Sequence, residues 1–355
     1  MRKRGDPLAD ERYRFVAVDS DNIHHVATVF RSVYGEDFHV RDVYDPELLW
    51  SKIQTGQIVS ALAFRADGQP AGYISLFRNA PNPRLWETGN IVIVPGNPDT
   101  DLSLRLFRYY EELISSRAAE MDGFFTEAVC SHYFTQKSGA ETGLVDCGLE
   151  LDQLDGSSFK DGKSNKAGSA RVSCVLSFKE TIDRTGPVYV PVRYEAILRR
   201  IADRLRPREL LLSKTGMPVH GTSTPEERYY PASRTWKLSF RDMGSDWTAV
   251  VEDIVRRARQ RDVISLQVTV NMALPSVGTA VEVLRGNGFF FGGMVPLWFG
   301  TDGLLMQQLL ADEPHYAGMK LYTPLAKELL EYIKIDRQTV REQGGDDTAH
   351  TNTRG

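Results

Sequence analysis

The strongest constraint on this chain is a strand that runs straight into a helix, "NIVIVPGNPDTDLSLRLFRYYEEL" at residues 90 to 113. A run rich in Ile and Val ends at Pro95, and beyond a turn the apolar residues recur at helical spacing. Unpaired backbone N–H groups and the positive end of the helix dipole converge at such a turn, which suits a phosphate. Yet the turn holds Asp99, Asp101 and a single glycine, Gly96, so it reads equally well as a capped helix start.

Around this unit the first half alternates between the two periods. "YRFVAV" reads as a strand, "DSDNIHHVATVFRSVYG" as a helix capped by Asp19 or Ser20, and "DPELLWSKIQTG" as a helix with Pro46 in its first turn. Two strands then flank the hairpin signal Asp67-Gly68, and "LWETGNIVIV" is the strand that enters the opening unit. After it come the strand "GFFTEAVC", the short helix "HYFTQKSGAETG", the strand "LVDCGLELDQL", a Gly/Ser/Lys-rich loop and the strand "RVSCVLSF". The predicted order is β-α-α-β-β-β-α-β-α-β-β, a mixed α/β (α+β) fold.

The segment 183–191 has the Gly and Pro content of a linker, and residues 214 to 235 read as irregular. Pattern resumes with the strand "TWKLSF", the helix "SDWTAVVEDIVRRARQR", the strand "VISLQVTVNM", the helix "PSVGTAVEVLRGNG", the strand "FFFGGMVPLWF" and "GLLMQQLL". A last helix starts at Pro324 with Thr323 as its cap. The halves share an order, and both close on Gly-apolar stretches, "AETGLVDCG" and "RGNGFFFGG". The division expected is a first domain at 11–182, a linker at 183–191 and a shorter second domain at 192–340. Residues 1–10 and 341–355 lack pattern and read as disordered.

Composition narrows the function. Lys plus Arg number 43 against 47 Asp plus Glu, and a net charge of −4 argues against nucleic acid as a partner. The three cysteines, Cys130, Cys147 and Cys174, lack metal-ligand spacing and a disulfide-like even count, which points to a reducing cytoplasm and no metal. No apolar run is long enough for a membrane helix.

The first half, about residues 12 to 180, resembles the GNAT acetyltransferase superfamily through "VFRSVYGEDF", "VYDPELLW", the strand-turn-helix unit and "EAVCSHYFTQKSGAETGL". The stretch from "TWKLSF" to "LLMQQ", with "AVEVLRGNGFFFGG" as its best match, resembles the later part of the same fold, a truncated second copy. The resemblance implies acyl-CoA, with acetyl-CoA as the usual case, at a splayed junction of the fourth and fifth strands. That places it along Val92, Val94, Asp99, Thr100, Asp101, Leu102 and Ser103, with Gln136 nearby. The family's phosphate loop, Q/R-x-x-G-x-G/A, is not kept: Pro98 stands at its first position, and Asp101 and Ser103 at the glycines. In the second half "RDMGSD" keeps Arg241 and Gly244 but has Asp246 at the last position. The family's acid tyrosine falls on Gly139 and Leu284.

Amine acylation needs a group to take the proton of an ammonium. His132, at a strand end, is the expected base, with Glu127 orienting it or relaying through water and Glu87 as the alternative base. Tyr133, Trp298, Phe299 and Asp302 are expected to wall a substrate pocket between the halves. The leading expectation is an acyl-CoA-dependent N-acyltransferase acting on a small amine or amino-acid-like acceptor. The alternatives are a non-catalytic metabolite- or partner-binding protein of the same fold and an aminoacyl-tRNA-dependent transferase.

Overall fold

A computed structural model describes residues 12–351 except 39, 97–100, 116–117, 157–170, 184–185 and 311–312. The first half comprises β1 (Tyr13–Ala17), α1 (His24–Tyr34), α2 (Pro46–Gln54), β2 (Ile58–Arg65), β3 (Pro70–Arg78), β4 (Leu85–Ile93), α3 (Leu102–Ser115), β5 (Gly123–Val129), α4 (Phe134–Glu141), β6 (Val145–Leu154) and β7 (Val172–Glu180). This is the order read from the sequence, and local signals explain much of it. Asp45 accepts the Leu48 amide at 3.0 Å with Pro46 opening α2, and Gly68 turns the β2–β3 hairpin at φ 82°. Helix α1 starts later than its expected cap, because Asp19 closes a turn of its own on the amides of Asp21 and Asn22.

The second half comprises β8 (Val188–Val190), α5 (Glu195–Ala202), β9 (Leu210–Leu212), β10 (Glu226–Tyr230), β11 (Thr235–Phe240), α6 (Trp247–Gln260), β12 (Ser265–Asn271), α7 (Val277–Gly286), β13 (Phe290–Val295), β14 (Gly303–Leu309) and α8 (Pro324–Thr351). Two elements lie where the sequence reads as linker or irregular. β8 pairs with β9 apart from the main sheet, and β10 forms a hairpin with β11. β10, "EERYY", is charged and exposed as an edge strand should be, so it lacks the apolar alternation that marks a strand. At the far end α8 continues through the Gly344-Gly345 pair to Thr351, past the expected boundary at 340. Its cap is the expected one: Thr323 Oγ1 accepts the Ala326 amide at 3.0 Å.

One 12-stranded sheet crosses the molecule in the order β1-β2-β3-β4-β5-β7-β6-β13-β14-β12-β11-β10. β4 and β5 are parallel, and so are β11 and β12; every other pair is antiparallel. β10, β11, β12, β14 and β13 thus repeat the pairing pattern of β3, β4, β5, β7 and β6.

The two groups meet at Gly148 and Gly293. A Cβ on Gly293 would lie 2.3 Å from Gly148 Cα, so only glycine fits the crossing, and both stand in the Gly-apolar closures that the halves share. Beside it Gln307 of β14 accepts the Leu151 amide and donates to the Leu149 carbonyl, each at 2.9 Å, replacing the missing strand pairing. One hydrophobic core runs from Phe125 and Phe178 of the first half to Trp236 and Trp247 of the second, and α8 lies across β6 and β13. Among the described residues no helix is long and apolar enough to cross a membrane.

Candidate active site

β4 and β5 pair only from Leu85↔Gly123 to Glu87↔Phe125, although β4 continues to Ile93 and β5 to Val129. The local cause is a bulge in β4: Tyr73 faces Val92 and Ser75 faces Gly89, leaving an extra residue between them. Asn90 takes the bulge at φ 53°, a conformation that Asn tolerates better than most residues, and its amide donates to Ser75 Oγ at 3.1 Å. Past Glu87, the β5-facing edge of β4 has no strand partner among the described residues.

A cavity of about 450 Å³ fills the opening. β4 supplies Glu87 and Gly89 to Val92, and β5 supplies Thr126 to Val129. Tyr34 and Phe38 close one side, and the β10–β11 turn, Tyr230 to Ser233 with Thr235, brings the second half over the other.

At its base Lys237 of β11 reaches across from the second half. Its Nζ lies 2.8 Å from Glu127 Oε1 and 2.9 Å from Glu150 Oε1, and the cluster is nearly closed to solvent. Gln153 donates to the other Glu127 oxygen at 2.5 Å, and Asn79 donates to Glu87 at 2.5 Å. Burial pushes Glu127 up, but the Lys237 charge and the hydrogen bonds from Lys237 and Gln153 outweigh it, so its pKa falls below the ordinary carboxylate range. Burial, and then the Glu127 charge, push Glu87 up to about 8. The same two causes bring Glu150 up to about 8 against the pull of Lys237. Burial works against Lys237, yet the Glu127 and Glu150 charges hold its pKa well above the usual value. The cluster thus sets a Glu127–Lys237 ion pair against two carboxyls, Glu87 and Glu150, whose pKa values are raised. One of them, Glu87, faces the cavity.

Glu87, Glu127, His132 and Val92 meet at this cavity. Glu127 does not orient His132, because its hydrogen bonds go to Lys237 and Gln153. The remaining expected site residues lie elsewhere. Gln136 is buried, donates to the carbonyls of Val129, His132 and Lys320, and accepts the Tyr322 amide, so it ties the β5–α4 corner to the segment before α8 and is not free for a ligand. Leu102 packs in the core beneath α3, and Val94 packs against the α1–α2 cluster. Ser103 is hydrogen-bonded to Ser138, and Asp101 lies 3.8 Å from Lys137. Asp99 and Thr100 fall outside the described residues.

The second-half wall is also corrected. Trp298 is buried and donates to Ser239 Oγ at 2.9 Å, and Phe299 packs under Arg241. Asp302 is fully buried, paired with Arg208 at 2.9 Å and accepting the Leu297 amide. Tyr133 is exposed and stacks near Tyr322. None of the four lines the cavity; the second half contributes its β10–β11 turn instead.

The equivalent junction in the second half is shut. β11 and β12 stay paired over all six residues from Thr235↔Ser265 to Phe240↔Val270. At the start of α6 the Gly244 amide donates to Ser223 Oγ at 2.8 Å, and Ser223 in turn bonds Asp246. A Cβ on Gly244 would lie 2.3 Å from the Gly221 carbonyl, so the chain itself fills the place where a phosphate would sit. Arg241, the other residue at motif spacing, donates to the Phe299 carbonyl at 2.7 Å.

The strand order of β1 to β7, with a parallel β4–β5 pair that splays, is the arrangement that the sequence resemblance implies. Neither a protein-family model nor a curated protein matches the chain. Solved structures similar to it include the ribosomal-protein-S5-alanine acetyltransferase of Vibrio fischeri, at 11% identity over 50% of this chain and 97% of that one, with a TM-score of 0.37. A GNAT-family acetyltransferase of Streptococcus pneumoniae is 15% identical over 47% of this chain and 99% of that one, with a TM-score of 0.38. The PaiA N-acetyltransferase of Thermoplasma acidophilum, solved with coenzyme A, is 13% identical over 47% and 98%, with a TM-score of 0.32.

The site also bears on the acyl-CoA that the resemblance implies. The unpartnered edge of β4 offers backbone groups to an amide-bearing chain, as a sheet edge does to an added strand. The turn that would meet its phosphates lies largely outside the described residues. Among the described residues, no group of three or more His, Cys, Asp or Glu side chains is placed to hold a metal.

Proposed function

We propose that this protein is an acyl-CoA-dependent N-acyltransferase that works at the first junction alone, with Glu87 as the group that takes the proton of a small amine. The observation that carries this reading is a buried carboxyl with a pKa of about 8 inside a cavity bounded by the unpartnered edge of β4. A base is most effective when its pKa lies near the working pH. A cationic amine beside Glu87 favours the carboxylate, which then accepts the ammonium proton and frees the nitrogen lone pair. The acyl-CoA supplies the activated acyl group. The β10–β11 turn walls the cavity on the second-half side, and Lys237 lowers the pKa of Glu127 so that this carboxylate does not compete for the proton. Three buried free cysteines support a cytoplasmic setting.

The test is thiol release from acetyl-CoA with a panel of amines, alongside mass spectrometry of the acceptor. Turnover should rise with pH toward a plateau above about 8, where Glu87 is ionised. A rate that is flat from pH 6 to 9 removes Glu87 as the base. The altered phosphate-loop sequence, with Asp99 and Asp101, favours a second reading: a binding protein of the same fold without turnover. In that case amines raise the melting temperature, but no thiol is released.

A further inference from the structure

We infer, resting on the acyltransferase reading, that the exposed aromatic corner of Tyr133, Phe134 and Tyr322 seats the adenine ring of acyl-CoA. The corner lies where the splayed junction ends. β4 and β5 are parallel and separate toward their C-terminal ends, and β5 leads past Val129 directly into this segment. His132 and Thr135 line the cavity, so the two residues between them, Tyr133 and Phe134, stand at its lip. Phe134 is 57% exposed, Tyr133 47% and Tyr322 39%, yet the rings form one surface. The Tyr133 ring lies 5.4 Å from that of Phe134 and 6.3 Å from that of Tyr322, centre to centre. Hydrogen bonds fix the backbone beneath them. Gln136 donates to the Lys320 carbonyl at 2.9 Å and accepts the Tyr322 amide at 3.0 Å, and the Lys320 amide donates to the Cys130 carbonyl at 2.8 Å.

Single exposed apolar side chains are ordinary, but three contiguous aromatic rings at the mouth of a cavity form a surface that binds something. Its size selects the occupant. A stable protein interface buries about 800 Å² on each partner, far more than three side chains offer, whereas a nucleic-acid base needs only a ring or two to stack on. Of the parts of acyl-CoA, the adenine is the planar aromatic one. A chain laid along the free edge of β4, with its thioester in the cavity, carries that end out toward the corner. Lys320, exposed two residues before Tyr322, brings an ammonium to the same place for the phosphates that accompany the base. Lys137 of α4 is engaged instead, 3.8 Å from Asp101 and 3.7 Å from Glu141.

The experiment is calorimetry on the full-length protein with CoA and with 4′-phosphopantetheine, which lacks the adenosine. The double variant Tyr133→Ala with Phe134→Ala should weaken CoA by about 5- to 100-fold, the range of a base–aromatic stack, and leave 4′-phosphopantetheine unchanged. Restoring one ring, as Tyr133→Ala with Phe134→Trp, should recover most of the CoA affinity. No recovery means that the loss came from a disturbed fold, and it overturns the inference. Unchanged CoA affinity in the double variant also overturns it, leaves the acyltransferase reading standing and hands the corner to another partner. An equal loss for both ligands does the same, because the rings then act on the pantetheine arm. Native protein that binds neither ligand overturns the acyltransferase reading together with the inference. Ring-dependent CoA binding without thiol release supports the adenine seat and overturns turnover alone.

Discussion

The two parallel junctions of the sheet have the same topology and opposite fates. β4 and β5 separate after three residue pairs, whereas β11 and β12 remain paired over six. The first is opened by a bulge at Asn90 and houses a carboxyl cluster; the second is sealed, with the segment at Gly221 to Ser223 seated on the start of α6. Strand order therefore does not make a site. A site needs backbone left unpaired and a cavity that the rest of the chain does not fill. The closed half still serves the open one, because Lys237 of β11 sets the charge state of Glu127.

The comparison is most sharply tested at Glu87. Glu87→Gln keeps shape and burial but cannot take a proton, so turnover should drop by about 10²- to 10⁴-fold and the rise toward pH 8 should vanish. His132→Ala should cost less; a larger loss than that of Glu87→Gln would return the role of base to His132. Next in size is Lys237→Met, which leaves the Glu127 charge buried and unpaired and should destabilise the protein by about 3 to 5 kcal/mol in urea unfolding. Adding Glu127→Gln should restore much of that stability, and no recovery would mean that Lys237 acts through packing alone.

The sealed junction offers a third test. Gly244→Ala drives a methyl group into the Gly221 backbone and should cost about 1 to 3 kcal/mol, with acyl-CoA stoichiometry unchanged at one per chain. A second equivalent bound in calorimetry would show that the plug had hidden a working site. The smallest effect concerns stability and pH. Glu87 and Glu150 have folded pKa values near 8 against an ordinary 4.5, so the folded state retains protons that the unfolded chain releases. Their contribution is complete below about pH 4.5, is lost as pH rises to about 8, and is constant beyond. Glu87→Gln should flatten the decline in melting temperature over that window.

Much of the first half was legible, because each strand and helix there carries its own period and its own caps, as at Asp45 and Gly68. Glu127 and His132 could be placed at one corner from the resemblance, with Glu87 on the preceding strand as the alternative base. Lys237, Glu150, Gln153, Tyr230 and Asn79 were missed as site residues. A signal existed for two of them: Lys237 in the middle of the apolar "TWKLSF" and Glu150 between leucines in "GLELD". A charge on a buried strand requires a partner, but a single sequence does not say which. The aromatic run near Trp298 misled in the opposite direction, since buried aromatic and acidic residues look alike whether they face a ligand or, like Asp302, an arginine of the same chain.

What the sequence determined by itself is local: the periods of the elements, the turns and caps between them, and the glycines that let β6 and β13 cross. These depend on neighbours along the chain, where backbone conformation and side-chain spacing act directly. Tertiary structure alone decided which junction opens, which carboxyl keeps its proton, and that Gln136 joins segments more than 180 residues apart in place of holding a ligand. Strand pairing and the burial of charge are properties of residues brought together from distant positions, and their energies exist only once the sheet has assembled.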